Sequence, residues 1–160
     1  MFFEPRNRLL VSGDALWENG MGFVWPERGA NPYVEAALAT LARIEALAPA
    51  VVIPGHGAPF TDAKGSVANV RLRLEAYARD PQKNARHVVK VMFAFALLDR
   101  QSMPEAEVAG YLGRIGCYRE LSQAFLGMDD VALATWLLAD LTRAGAIAVN
   151  AGVVSPTARA

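Results

Sequence analysis

Val51-Val52-Ile53-Pro54-Gly55-His56-Gly57 decides how this chain is read. Three β-branched apolar residues in a row favour a short buried strand, and the Pro/Gly turn behind it leaves a histidine at the strand's tip. Glycine on both sides of His56 permits a tight turn and close approach of a ligand, so the imidazole is placed to project from a sheet edge into a cleft. Upstream, Leu9-Leu10-Val11-Ser12-Gly13-Asp14 has the same design, an apolar run closed by glycine and then a carboxylate. Imidazole and carboxylate are both good ligands for zinc-like ions. A strand-end histidine also serves as a turn residue bonded to backbone, and a strand-end aspartate as a cap of its own turn.

Between the two runs, Leu16 to Asn31 holds Trp17, Gly20, Gly22, Phe23, Trp25, Pro26 and Gly29, a composition suited to an irregular loop. Tyr33 to Leu47 then places Val34, Leu38, Leu41, Ile44 and Leu47 on one helix face, and Pro49 stops the helix. Ahead of them, Phe2-Phe3, Glu4-Pro5-Arg6-Asn7 and Arg8 to Ser12 read as strand, turn and strand. The chain opens straight into this hairpin, which suggests that Met1 lies at an internal boundary of a larger domain. After Thr61-Asp62, Val67, Val70, Leu74 and Tyr77 mark a second helix, ended by Arg79-Asp80-Pro81. The first eighty residues are thus expected to be an α/β unit.

A boundary is expected between Asp80 and Arg86. Helical patterns follow over Arg86 to Asp99, Pro104 to about Phe125 with a break near Gly116, and Asp129 to Ala144, with Asp129 as cap and Gly145 as stop. Ile147 to Val154, interrupted by Asn150-Ala151-Gly152, suits a small hairpin. Three helices and a wing of this kind suggest a winged-helix-like module over residues 83–160, with Trp136, Leu137 and Leu141 in its core.

Composition narrows the functional classes. Among 160 residues, 16 basic side chains balance 16 acidic ones, so no global attraction to nucleic acid or anionic membrane is expected. The last helix sets Asp129, Asp130 and Asp140 against Arg143, a poor complement for phosphates. Hydrophobic residues make up 53 %, yet the longest apolar run, Val88 to Leu98, is too short to cross a bilayer. The start lacks a secretory pattern and Cys117 is the sole cysteine, so a cytoplasmic location is expected and no intrachain disulfide forms. Cys117 reads as a buried structural thiol and His87 as a histidine beside the Val88, Val91, Met92, Phe95 helix face.

With S-G-D at 12–14 and P-G-H-G at 54–57, separated by a loop and one helix, the first eighty residues resemble the C-terminal half of metallo-β-lactamase-fold hydrolases. The resemblance implies a partial αββα sandwich over residues 1–82, normally two sheets with helices outside, followed by a winged-helix-like domain. It implies that Asp14 bridges two zinc ions and that His56 holds one. Trp17, Phe23 and Trp25 then either line a substrate cleft or pack the loop onto the sheet. The family's H-x-H-x-D-H motif has no counterpart in this sequence, which contains two histidines, His56 and His87.

Two functions follow as expectations. One is the C-terminal part of a metal-dependent hydrolase that activates water at a dinuclear site in the intact architecture, acting on an ester, thioester or amide. The other is a non-catalytic, homo-oligomeric interaction module derived from that fold. In either case weak or no zinc binding is expected of a single chain, because two ligands forfeit most of the chelate energy.

Overall fold

The computed structural model describes residues 1–157 and divides after Pro81 into two compact units. In the first, Phe2–Glu4 (β1) pairs antiparallel with Leu9–Gly13 (β2), and β2 pairs parallel with Val51–Pro54 (β3), in the sheet order β1-β2-β3. The turn between β1 and β2 is closed by Glu4, whose carboxylate accepts from Arg6 N at 2.7 Å and Asn7 N at 2.8 Å. Those bonds hold the Glu4 carboxyl below its ordinary range, Asn7 contributing most.

Two helices follow the expected patterns. Pro32–Leu47 (α1) begins on Asn31, whose Oδ1 accepts from Tyr33 N and Val34 N, and ends with Ala48 in the left-handed region at φ 45°. Arg8, at the foot of β2, donates through Nε and Nη2 to the Ala48 carbonyl. Ala63–Arg79 (α2) begins on Asp62, which accepts from Gly65 N at 2.9 Å. Leu10 and Val52 from the sheet, Val34, Leu41 and Ile44 from α1, and Val67, Val70 and Leu74 from α2 form one apolar cluster.

The sheet is covered on one face only, which corrects the reading of Val51 to Ile53 as a buried strand. Cross-strand partners share a face, so Phe3, Leu10 and Val52 look into the cluster while Phe2, Val11 and Ile53 form a row on the other side. Val52 is fully buried, Val51 half-buried, and Ile53 is 39 % exposed. An apolar run says that neither face is polar. It does not say that both faces are occupied.

The second unit is built from Pro81–Arg100 (α3), Met103–Pro104 (β4), Val108–Arg114 (α4), Gly116–Leu121 (α5), Asp130–Arg143 (α6), Ile147–Asn150 (β5) and Val153–Pro156 (β6). Its strands pair antiparallel in the order β4-β6-β5. Asp129 caps α6 by accepting from Ala132 N at 2.8 Å, and the β5–β6 turn puts Ala151 and Gly152 at positive φ. Lys90 Nζ on α3 lies 2.9 Å from Asp140 Oδ2 on α6, and this hydrogen bond leads in holding the Asp140 carboxyl below its ordinary range. No helix of the described residues is long and apolar enough to cross a membrane.

Several local expectations need correction here. The helix expected from Arg86 starts at Pro81, because proline at the first helical position lacks only an N–H that has no intrahelical acceptor, while Asn84 and Ala85 are already buried. Pro104 pairs with Val153 of β6 and caps the 3-10 turn Glu105–Glu107 that leads into α4, so the helical run begins one residue later than expected. Trp136 is half-buried on α6, beside fully buried Leu137 and 5 % exposed Leu141, so the indole flanks the core. Cys117 is half-buried too.

Tyr111 stands between Phe93 and Tyr118, with ring centroids 6.3 Å and 6.1 Å away, and Arg100 lies 4.7 Å over its ring. Burial pushes the Tyr118 hydroxyl far above the ordinary tyrosine range, with Tyr111 adding to the shift. A raised value in the folded state stabilises the fold at pH below the unfolded value of about 10 and loses that contribution as pH rises beyond it. Alkaline unfolding followed by far-UV circular dichroism is therefore expected to be less steep in Tyr118→Phe than in the parent above about pH 10. Equal steepness in the two proteins would remove Tyr118 as a cause.

Candidate metal centre

Asp14 and His56 leave the same end of two neighbouring parallel strands. The β2–β3 pairing runs Leu9 with Val51, Leu10 with Val52 and Val11 with Ile53, then slips so that Gly13 faces Pro54. Ser12 is the extra residue, a bulge in β2. Its buried hydroxyl donates to Leu16 O at 2.6 Å and has Ile53 O within 3.4 Å, which satisfies carbonyls around the slip.

One residue of slip brings Asp14 alongside Gly55. A Cβ on Gly55 would lie 2.8 Å from Asp14 Oδ1 and 3.1 Å from the Gly13 carbonyl carbon, and a Cβ on Gly22 would lie 2.8 Å from Asp14 Cβ. Close approach of the Asp14 Cβ calls for glycine at 22, while a Cβ at 55 would turn the Asp14 carboxylate and press on the Gly13 backbone. The backbone seals the arrangement, with Gly55 N donating to Gly13 O at 2.9 Å and Gly22 N to Asp14 O at 2.7 Å. The role of Gly22 was hidden in a glycine-rich loop. Only its contact with Asp14 sets it apart from Gly29, which has open space around it.

His56 Nε2 comes to 3.9 Å from Asp14 Oδ1, with side chains 56 % and 67 % exposed. Trp17 meets the imidazole edge-on, centroids 5.0 Å apart and planes at 83°, while its own Nε1 donates to Gly13 O at 3.2 Å. The indole is thus tied to the strand that carries Asp14 and packs against the ring that faces it. Of the three aromatic residues singled out in the loop, Trp17 is the one brought to the pair. Phe23 is 43 % exposed, and Trp25 is half-buried further along, its carbonyl accepting from the α1 cap Asn31. Behind the loop, Ser66 on α2 donates to Glu18 O at 2.8 Å.

Chemically, the pair provides one nitrogen and one oxygen donor on a preset backbone. A structural zinc takes four donors, and two donors about 2.0–2.1 Å from a tetrahedral ion sit roughly 3.3 Å apart. The 3.9 Å separation is close to that value but wider. Among the described residues no three His, Cys, Asp or Glu side chains are grouped to hold a metal ion. These residues therefore do not by themselves fit a zinc site.

The family model of the metallo-beta-lactamase superfamily matches residues 1–56, the stretch from before β1 to His56. No curated protein matches the chain. Among solved structures, the crystal structure of a metallo-beta-lactamase family protein from Thermus thermophilus is similar at 22 % identity, covering 97 % of this chain and 44 % of that one, with a TM-score of 0.31. The chain thus spans less than half the length of that protein. From before its first strand through Asp14 to His56, this protein is similar to the metallo-beta-lactamase superfamily.

Proposed function

We propose that this chain is the part of a metallo-beta-lactamase-type, metal-dependent hydrolase that supplies Asp14 and His56 to its zinc centre. The observation that carries the reading is the convergence of these two side chains to 3.9 Å, with glycines at 22 and 55 leaving room for the carboxylate. The superfamily match, which ends on His56, supports it. So does the bare apolar face of the β1-β2-β3 sheet, which suits the inner side of a two-sheet sandwich. The other ligands come from protein outside these residues, and the assembled centre hydrolyses an ester, thioester or amide. Residues 83–160 form a separate winged-helix-like domain, a reading supported by helix, strand, helices and hairpin in the sheet order β4-β6-β5.

Titration calorimetry with zinc tests the donor assignment. The parent chain is expected to bind weakly, and Asp14→Asn and His56→Ala to lose that binding while keeping the parent's far-UV circular dichroism. Variants that bind as well as the parent would overturn it, as would a parent that takes up no zinc even with the remaining ligand-bearing half of the fold supplied in trans. The same bare face favours a second reading, an interaction module that self-associates without metal chemistry.

A further inference from the structure

His56 stands between Gly55 and Gly57, the latter at φ +91°, and its side chain is 56 % exposed. Neither neighbour has a Cβ to confine the imidazole. The approach of Nε2 to Asp14 Oδ1, at 3.9 Å, is longer than a hydrogen bond and sets no direction. Edge-on contact with Trp17 does set one. Ring planes at 83° with centroids 5.0 Å apart lie in the T-shaped geometry that aromatic pairs favour.

Trp17 can impose that direction only where it is itself fixed. Its indole Nε1 donates to Gly13 O at 3.2 Å, which ties the ring to the end of β2. Its backbone N donates to Gly20 O at 2.7 Å, closing a small antiparallel bridge. Gly20 is buried, and a Cβ there would lie 3.2 Å from Arg73 Nη1 and 3.8 Å from Trp17 Cε3, so indole, loop and α2 meet at this point. On either side of Trp17, Leu16 is fully buried in the apolar cluster and Glu18 O accepts from Ser66, a 4 % exposed hydroxyl on α2. A path of contacts thus runs from α2 through the loop to His56.

We propose that Trp17 is a positioning residue: anchored to β2 and α2, its indole holds the His56 imidazole in one rotamer facing Asp14 before any ligand arrives. The inference rests on the reading of Asp14 and His56 as one site and deepens it by naming what sets their geometry. A side chain ordered in advance need not be ordered on binding, which is the advantage of rigid support behind a functional group.

Heteronuclear NMR of the isotopically labelled chain in EDTA tests this without any metal. His87→Gln leaves one imidazole in the spectrum and so assigns His56. The parent is expected to show nuclear Overhauser contacts between the Trp17 indole protons and the His56 ring protons, and three-bond couplings at the His56 Hβ protons of a single staggered rotamer. Trp17→Ala is expected to average those couplings while the amide shifts of α1 and α2 stay in place. Trp17→Phe, which keeps a ring but lacks the indole N–H, is expected to recover part of the single-rotamer pattern. Averaged couplings in the parent, or parent-like couplings in Trp17→Ala, overturn the positioning role, and no recovery in Trp17→Phe overturns the ring contact as its cause. The parent spectrum decides on its own where Trp17→Ala does not fold. Failure of the zinc titration, by contrast, removes the donor assignment and leaves the hold of Trp17 on His56 standing.

Discussion

Leu10→Ala is expected to cost the first unit about 2–5 kcal/mol, while Val11→Ala, one residue further along the same strand, changes stability by about 0.5 kcal/mol or less. Leu10 is fully buried in the cluster beneath the sheet, and deleting its side chain leaves a cavity walled by Val52 and the two helices. Val11 is 45 % exposed on the uncovered face and leaves none. Trp17 and Trp25 lie in the first unit and Trp136 in the second, so tryptophan fluorescence during urea unfolding in a Trp136→Phe background reports on the first unit alone. Equal costs for the two variants would mean that the face is covered in solution.

The second large effect is expected at Gly55. Its alanine variant must move either the Asp14 carboxylate, 2.8 Å from the added Cβ, or the backbone of Gly13 at 3.1 Å. Overpacking of this kind costs about 1–3 kcal/mol, and displacement of the carboxylate takes zinc binding with it. Gly29→Asn is the control: φ is +78°, which asparagine tolerates, and no atom lies within 4 Å of an added Cβ. Calorimetry should show zinc binding lost in Gly55→Ala and retained in Gly29→Asn. Retention in both would mean that the cradle around Asp14 has no part in presenting it.

The convergence of Asp14 and His56 was legible because glycine, proline and these two side chains sit on the ends of apolar runs. Helices α1 and α2 were legible from their three-to-four spacing, from Thr61-Asp62 ahead of α2 and from the stops at Pro49 and Pro81, whereas the Asn31 cap of α1 emerged only from the structure. What the sequence hides is which surfaces have neighbours. Ile53 and Val52 look alike in the string, and only pairing plus a one-sided helix layer separates an exposed residue from a buried one. Pro81 read as a terminator also starts a helix, since its ring is tolerated at the first helical position as well as beyond the last one. Met103–Pro104 is too short to show alternation and exists because β6 offers it a partner.

The bulge at Ser12 governs how this protein tolerates changes in length. The approach of Asp14 to His56 is counted along β2 and β3 from their pairing, so insertions in the loop before α1 leave the two opposite each other, provided that α1 still returns the chain to β3. Excising Ser12 would remove the extra residue itself, so Gly13 would still pair with Pro54 and Asp14 would still lie beside Gly55, at the cost of the Ser12 hydroxyl's bonds to Leu16 O and Ile53 O. Two residue pairings, Val11 with Ile53 and Gly13 with Pro54, thus act as the ruler that sets Asp14 against His56, whatever distance separates the two along the chain.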